Sequence, residues 1–248
     1  MSRRDPNRIV VVTGAATGIG KATALAFGAD GAFVYLLDID AESGGEAADH
    51  IEHSEFISCD VTSEQDVSGA FGLIGERSQR VDVLVNNAGG FPTQRNLEDT
   101  SLEEWRRIVD LNLTSVFLTT RAAVPLLRRS GAGRIVNLGS LAGQVANYRT
   151  APPYAAAKAG VHSLTRVRAS ELAPEGITVN ALSPSAVITE RIEQLRDEAE
   201  RQATAASIPL GRYQNPTEIA RWVLFLASAE AGFMTGQTVS VNGGRFMA

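Results

Sequence analysis

The sequence predicts an α/β domain built on a doubly wound parallel sheet, and three observations predict it. Short β-branched runs alternate with longer helical patterns along the chain, as in successive βαβ units. Several of those runs are apolar on consecutive residues, the pattern of strands covered by helices on both faces. No low-complexity linker or internal repeat divides the 248 residues, so a single domain over 1–248 is expected.

The elements follow in order. Ile9–Thr13 is a β-branched first strand that ends at a glycine, and an Ala-rich helix over Gly18–Asp30 follows it. Phe33–Asp38 reads as the second strand and Ala41–Ile51 as its helix. Glu55–Ser58 reads as the third strand. Ser63, with Asp66 three residues on, has the spacing of a cap that starts a helix over Ser63–Ser78. Val83–Asn86 is the fourth strand, and Thr100 or Ser101 caps a long helix over Leu102–Arg128. Arg134–Gly139 is the fifth strand. Pro152 and Pro153 suit a helix starting at Tyr154 and running to Ala173. Strands at Thr178–Leu182 and Thr238–Val241 enclose a helix over Pro216–Ala227. The charged segment Ile188–Ser207 breaks the rhythm and reads as a helical insert, with a substrate loop near 186–212. Such inserts, outside the carboxyl ends of strands, are where these folds build binding crevices.

Composition excludes several classes of function. Acidic residues outnumber Lys and Arg by 28 to 23, a net charge of −5, which argues against a surface that tracks nucleic-acid phosphates. Cys59 is the only cysteine and has no internal partner, so a reducing, cytoplasmic setting is expected. Met1–Arg8 is polar, Ile9–Val12 is too short for a signal-peptide core, and no stretch is long enough to span a bilayer. His50 and His53 stand three apart near an acidic helix, but no third ligand follows at a sensible spacing, so no metal site is expected.

Between the first strand and its helix lies Thr13-Gly14-Ala15-Ala16-Thr17-Gly18-Ile19-Gly20. A glycine-rich turn feeding a helix N-terminus offers free backbone N–H groups and a helix dipole to a pyrophosphate. Gly14 permits the tight turn, and Gly18 and Gly20 allow close approach of backbone and ligand. The second strand ends in Asp38, eighteen residues after Gly20, near the offset at which an acidic side chain meets an adenosine ribose. A carboxylate there accepts from ribose hydroxyls and repels a 2′-phosphate. Thr17 and Ile39 stand where a basic residue would grip that phosphate. The expectation is NAD in preference to its phosphorylated form.

Tyr154 and Lys158 are four residues apart and share one helix face. A free tyrosine has a pKa of ~10, too high for a base at neutral pH, and a cation within ~4–6 Å lowers an acid by 1–3 units. An oxidised nicotinamide ring adds positive potential, so the pair is energetically competent for proton exchange. On its own the spacing is common on exposed helices.

Taken together, Thr13–Gly20, Asp60-Val61, Asn86-Asn87-Ala88-Gly89, Asn112, Ser140, Tyr154 and Lys158 resemble the short-chain dehydrogenase/reductase family. The resemblance runs from the first strand to Val241-Asn242-Gly243-Gly244 and implies a seven-stranded parallel sheet of extended Rossmann type. It also implies roles. Tyr154 exchanges a proton with the substrate oxygen, Lys158 holds the nicotinamide ribose and lowers the tyrosine pKa, Ser140 hydrogen-bonds the reacting oxygen, and Asn112 anchors a water leading to solvent. Gly14, Thr17, Gly18, Ile19, Gly20, Asp38 and Ile39 would line the adenosine and pyrophosphate site. Asp60 and Val61 would flank the adenine, and Asn87, Ala88 and Gly89 the channel. Pro184, Val187 and Thr189 would meet the nicotinamide side. The family also implies a homotetramer.

Two departures stand out: Ser185 follows Pro184 where the family has glycine, and the segment between Ser140 and Tyr154 is one residue longer than usual. Pocket residues are expected within Gly90–Asn96, Leu141–Thr150 and Ala186–Ser207, with Phe91, Val145, Tyr148, Val187 and Ile188 giving an apolar lining and Gln144 and Asn147 as polar handles. His162 is expected to pack or to join an interface, and Cys59 to be buried and inert. The expected activity is hydride transfer between NAD(H) and a small-molecule secondary alcohol or ketone. The alternative is reduction of a 3-oxoacyl thioester, which the C-terminal region also resembles.

Overall fold

The computed structural model describes residues 7–90, 96–145 and 151–247. Seven strands, β1 (Ile9–Thr13), β2 (Phe33–Asp38), β3 (Ser54–Ser58), β4 (Val83–Asn86), β5 (Arg134–Leu138), β6 (Thr178–Pro184) and β7 (Thr238–Val241), form one sheet. Their order is β3-β2-β1-β4-β5-β6-β7 and every pairing is parallel. The order reverses between β1 and β4, which opens a crevice at the carboxyl ends of those two strands.

The helices are α1 (Gly18–Ala29), α2 (Ala41–Asp49), α3 (Glu64–Ser78), α4 (Leu102–Val109), α5 (Ser115–Ser130), α6 (Pro152–Leu172), α7 (Glu190–Leu195), α8 (Glu198–Ala206) and α9 (Pro216–Leu226). The apolar strands are explained by a core on each face. Val11 packs among α3, α5 and α6 side chains such as Ile74, Leu127 and Leu172. Its neighbours Val10 and Val12 point the other way, toward Phe27 of α1 and Ile219 and Val223 of α9. All three valines are fully buried, and burying each such side chain is worth about 1.5–3 kcal/mol relative to exposure.

Differences from the sequence reading have local causes. β6 runs on to Pro184 because it keeps pairing with β7 as far as Val241, and proline is tolerated at that strand end. β5 stops at Leu138, and the N–H of Gly139 donates to the Leu182 carbonyl at 2.8 Å. The caps at Ser63 and Ser101 form as expected, each hydroxyl accepting from the backbone N–H three residues on. The long helix after Ser101 is not uniform: a π-helical turn, Asp110–Thr114, separates α4 from α5. The charged insert forms two short helices, α7 and α8, the second closed by a capping box between Asp197 and Glu200. No helix among the described residues is long and apolar enough to cross a membrane.

Candidate active site

The crevice is walled on one side by the turn after β1. Gly14 and Gly18 have φ of +62° and +55°, values that favour glycine. A Cβ on Gly20 would collide with the Gly14 carbonyl, so helix and turn touch backbone to backbone there. Thr17 is the N-cap of α1, yet its side chain makes no capping bond and no acid sits in the first turn. The N–H groups of that turn therefore face the crevice without a side-chain partner, as pyrophosphate binding requires. Asn87 braces the turn, its amide donating to the Thr13 and Gly14 carbonyls at 2.9 and 2.8 Å. The Thr13 hydroxyl accepts from the N–H groups of Asn87 and Ala88, both at 3.1 Å. Sequence reading placed Thr13 at the head of the glycine-rich motif without giving its hydroxyl a role; the signal was a hydroxyl on the last residue of β1, directly before the glycine.

Asp38 lies at the end of β2 beside this turn. One carboxylate oxygen accepts from the Ala16 N–H at 3.0 Å and the other from the Asp40 N–H at 3.1 Å. Ile39 next to it is 70% exposed. Asp60 holds its own loop, accepting from the N–H and hydroxyl of Thr62 at 2.8 and 2.7 Å, and Val61 is buried in the core.

Asn86 lies below the crevice, in a buried network. Its amide donates to Asn137 at 2.8 Å and to Thr120 at 3.0 Å and accepts from Thr119 at 2.7 Å, and Asn137 donates to Thr165 at 2.9 Å. Every member is satisfied, so β4, β5, α5 and α6 are held in one arrangement.

Asn112 sits inside the π turn and is fully buried. Its amide nitrogen donates to the carbonyls of Ile108 and Gly90, both at 2.9 Å, and its oxygen accepts from the Gly90 N–H at 2.8 Å. The widened turn thus lets one side chain clasp the loop after β4. Such turns recur at functional sites. A Cβ on Gly89 would meet Asn112 Oδ1 at 2.6 Å and Lys158 Nζ at 3.3 Å, so both groups approach one point above that glycine.

Lys158 and Tyr154 share a face of α6. The ammonium is 3% exposed, donates to the Leu138 carbonyl at 2.7 Å and lies 5.6 Å from the centre of the Tyr154 ring. Burial pushes its pKa down to about 8, which leaves it a cation at neutral pH. Tyr154 is half-buried. Ser140 follows β5 with extended backbone; it is buried, and its hydroxyl accepts from the Ala142 N–H at 3.2 Å. The Ser140 turn then presses on α6, because a Cβ on Gly143 would meet the Lys158 carbonyl carbon at 2.6 Å.

The far wall follows β6. Ala186 and Ile188 pair with Gln214, which turns the N–H and C=O of Val187 to the opposite side. Thr189 caps α7, and its methyl lies 3.3 Å from where a Gly18 Cβ would stand, so this wall closes over the glycine-rich turn. Ser185 shows why glycine is dispensable after Pro184. Among the described residues other than glycine only Gln79 has positive φ, and the Ser185 hydroxyl donates to the Asn242 carbonyl at 3.0 Å. Gln144 is not free to act as a substrate handle through its oxygen, which accepts from the hydroxyls of Ser183 and Ser240 at 2.7 and 3.1 Å. Arg191, which the sequence reading did not single out, lays its guanidinium against Gly90.

Phe91, Asn147, Tyr148 and Arg149 lie outside the described residues. Cys59 is buried, and its thiol is pushed up to about 11, chiefly by desolvation and then by Asp66 and Asp60, which keeps it protonated and inert. Among the described residues no group of three His, Cys, Asp or Glu side chains is placed to hold a metal.

Comparison with known proteins agrees with this geometry. The family model described as enoyl-(acyl carrier protein) reductase matches residues 14–245. The chain is 40% identical over 242 residues to 3-oxoacyl-[acyl-carrier-protein] reductase FabG of Vibrio cholerae, covering 97% of this chain and 98% of that one. It is 40% identical over 247 residues to cyclopentanol dehydrogenase of Comamonas sp., with the same coverage. The solved active-site complex of Pseudomonas aeruginosa RhlG with NADP superposes with a TM-score of 0.91 at 35% identity, covering 96% of each chain. A nicotinamide cofactor fits the crevice, since the start of α1 has neither a side-chain cap nor an acidic residue in its first turn to compete with a pyrophosphate. With that crevice, that sheet order and relatives matching over nearly its whole length, the chain belongs to the short-chain dehydrogenase/reductase family of oxidoreductases.

Proposed function

We propose that the chain oxidises a small secondary alcohol, or reduces the matching ketone, with NAD(H). The observation that carries this reading is the buried Lys158 ammonium beside the Tyr154 ring, at the point that Asn112 also reaches. In the oxidative direction Tyr154, held toward its phenolate by that cation, takes the hydroxyl proton of the alcohol. Ser140 donates to the reacting oxygen and fixes its place. When bound, the nicotinamide supplies the hydride acceptor. Lys158 then passes the proton toward solvent through a water that Asn112 anchors.

Support for NAD over NADP comes from Asp38. Backbone N–H groups fix both of its oxygens beside the turn, and neither Thr17 nor Ile39 offers a cation to a 2′-phosphate. Gly14, Thr17, Gly18, Ile19 and Gly20 would hold the pyrophosphate, Asp60 and Val61 would flank the adenine, Asn87, Ala88 and Gly89 would line the channel, and Pro184, Val187 and Thr189 would meet the nicotinamide side. Exposed apolar side chains on α5, α6 and α9, among them Phe117, Val167, Trp222 and Phe225, support a homotetramer. The single buried cysteine supports a cytoplasmic setting.

Reduction of a 3-oxoacyl thioester is the second reading, favoured by the similarity to the Vibrio cholerae reductase. The deciding experiment measures NAD+ and NADP+ reduction over cyclic, aryl, aliphatic, sterol and polyol alcohols, and NADH and NADPH oxidation with a 3-oxoacyl thioester, with Tyr154→Phe as control. Turnover of an alcohol with NAD+ that Tyr154→Phe abolishes is the expected result. Turnover confined to the thioester with NADPH would replace this reading by the second.

A further inference from the structure

We propose that His162 is a positioning residue that sets the place of Ser140. This rests on the reading of Ser140 above. His162 lies four residues after Lys158 on α6, so the two side chains share a face, and both meet the end of β5 in consecutive steps. Lys158 Nζ takes the Leu138 carbonyl, and the His162 ring lies where a side chain of Gly139 would otherwise stand. A Cβ on Gly139 would meet ring atom Cδ2 at 2.8 Å and would collide with Nε2. The N–H of Gly139 is itself tied to the Leu182 carbonyl, so the residue before Ser140 is gripped between β6 and the imidazole.

The ring also reaches the far end of the same turn. His162 is 5% exposed, its Nε2 has no hydrogen-bond partner, and the Gly143 backbone lies near enough to favour the protonated ring. With Nε2 buried and unpartnered, the ring's one N–H belongs on Nδ1. Imidazole therefore meets the chain one residue before Ser140, and α6, which carries it, meets the chain again three residues after Ser140. Gly143 in turn packs on the backbone of Lys158 and Ala159. A buried histidine with an unpartnered nitrogen is an expensive filler where leucine would pack as well. Its position between the two ends of a turn that carries a reacting-centre hydroxyl explains its presence.

Charge keeps the ring in this form. Desolvation pushes its pKa down to about 4, and the Lys158 and Arg166 cations add to that. At working pH the ring is neutral.

A double-mutant cycle with Ser140→Ala tests this, using the fastest alcohol of the panel above. His162→Leu should lower kcat about tenfold with little change in the KM for NAD+. In the Ser140→Ala background the same change should lower kcat less than twofold. His162→Asn, whose amide can replace the Nδ1–H donor, should stay within threefold of the parent. Equal losses in both backgrounds, or none in the parent, would overturn the proposal. Should His162→Leu fail to fold, ring 15N spectra of the parent enzyme decide. A neutral Nδ1–H form persisting below pH 5.5 supports the role, and an ordinary titration near 6.5 refutes it. A fully active Ser140→Ala enzyme would instead remove the role of Ser140 itself, and this proposal with it.

Discussion

The Lys158 ammonium is hydrogen-bonded at 2.7 Å to the carbonyl of Leu138, two residues before Ser140, so the cation and the strand that delivers Ser140 are mechanically joined. Burial raises the energy of that cation and lowers its pKa from about 10.5 to about 8. Between those values the unfolded chain binds the extra proton, so stability rises as pH climbs from about 8 to about 10.5. The rise attributable to this group is at most about 3 kcal/mol. Lys158→Met should abolish that segment of the stability curve and lower kcat by about 10²–10⁴-fold. Denaturant titrations at pH 7.5 and 10 on both proteins check the first, and initial rates check the second.

Cofactor choice should be movable at the end of β2. Asp38→Asn keeps an acceptor for the Ala16 N–H while removing the charge, and Ile39→Arg adds a cation at a largely exposed position. The screened repulsion removed is about 2–3 kcal/mol, so the ratio of kcat/KM for NADP+ over NAD+ should rise about 100-fold. An unchanged ratio would show that Asp38 does not face the ribose.

Asn112 ties the loop after β4 to the π turn, so its loss should register in stability. Replacing it by alanine strands the N–H and carbonyl of Gly90 and the carbonyl of Ile108. The loss should be about 3 kcal/mol, or roughly 6–12 °C in Tm for a domain of this size. Calorimetry on Asn112→Ala checks this, and an unchanged Tm would mean that solvent already satisfies the Gly90 loop.

Acid should destabilise the fold through His162. Its pKa falls from an ordinary 6.5 to about 4 on burial, with Lys158 and Arg166 as the facing cations. Between these values the unfolded chain again binds more protons, so stability falls as pH drops from about 6.5 to about 4, by at most about 3 kcal/mol. His162→Leu should flatten that part of the curve, which urea melts at pH 7, 5.5 and 4.5 would show.

Much of the scaffold was legible because the sheet is buried on both faces. A run such as Val10-Val11-Val12 has no other comfortable environment, and Ser63 and Ser101 announce their helices by local chemistry alone. The glycine-rich turn was legible for a related reason, since its spacing states a backbone requirement. What escaped was set by distant partners. The π turn exists with Asn112 reaching Gly90, 22 residues away in sequence, and no pattern within Leu102–Arg128 announces it. Gln144 turns to Ser183 and Ser240, on strands that only folding brings near. His162 reads as ordinary packing because Gly139, which its ring meets, lies 23 residues away in sequence.

The π turn has one more consequence. A bulge of this kind is a single surplus residue absorbed within one coil of helix, so the face that α5 buries keeps its phase on either side. Deleting one residue from 110–114 would give an unbroken rod still able to dock on the sheet. The surplus residue is therefore no requirement of helix docking; it aims the clasp on the Gly90 loop, and straightening the rod would release that loop.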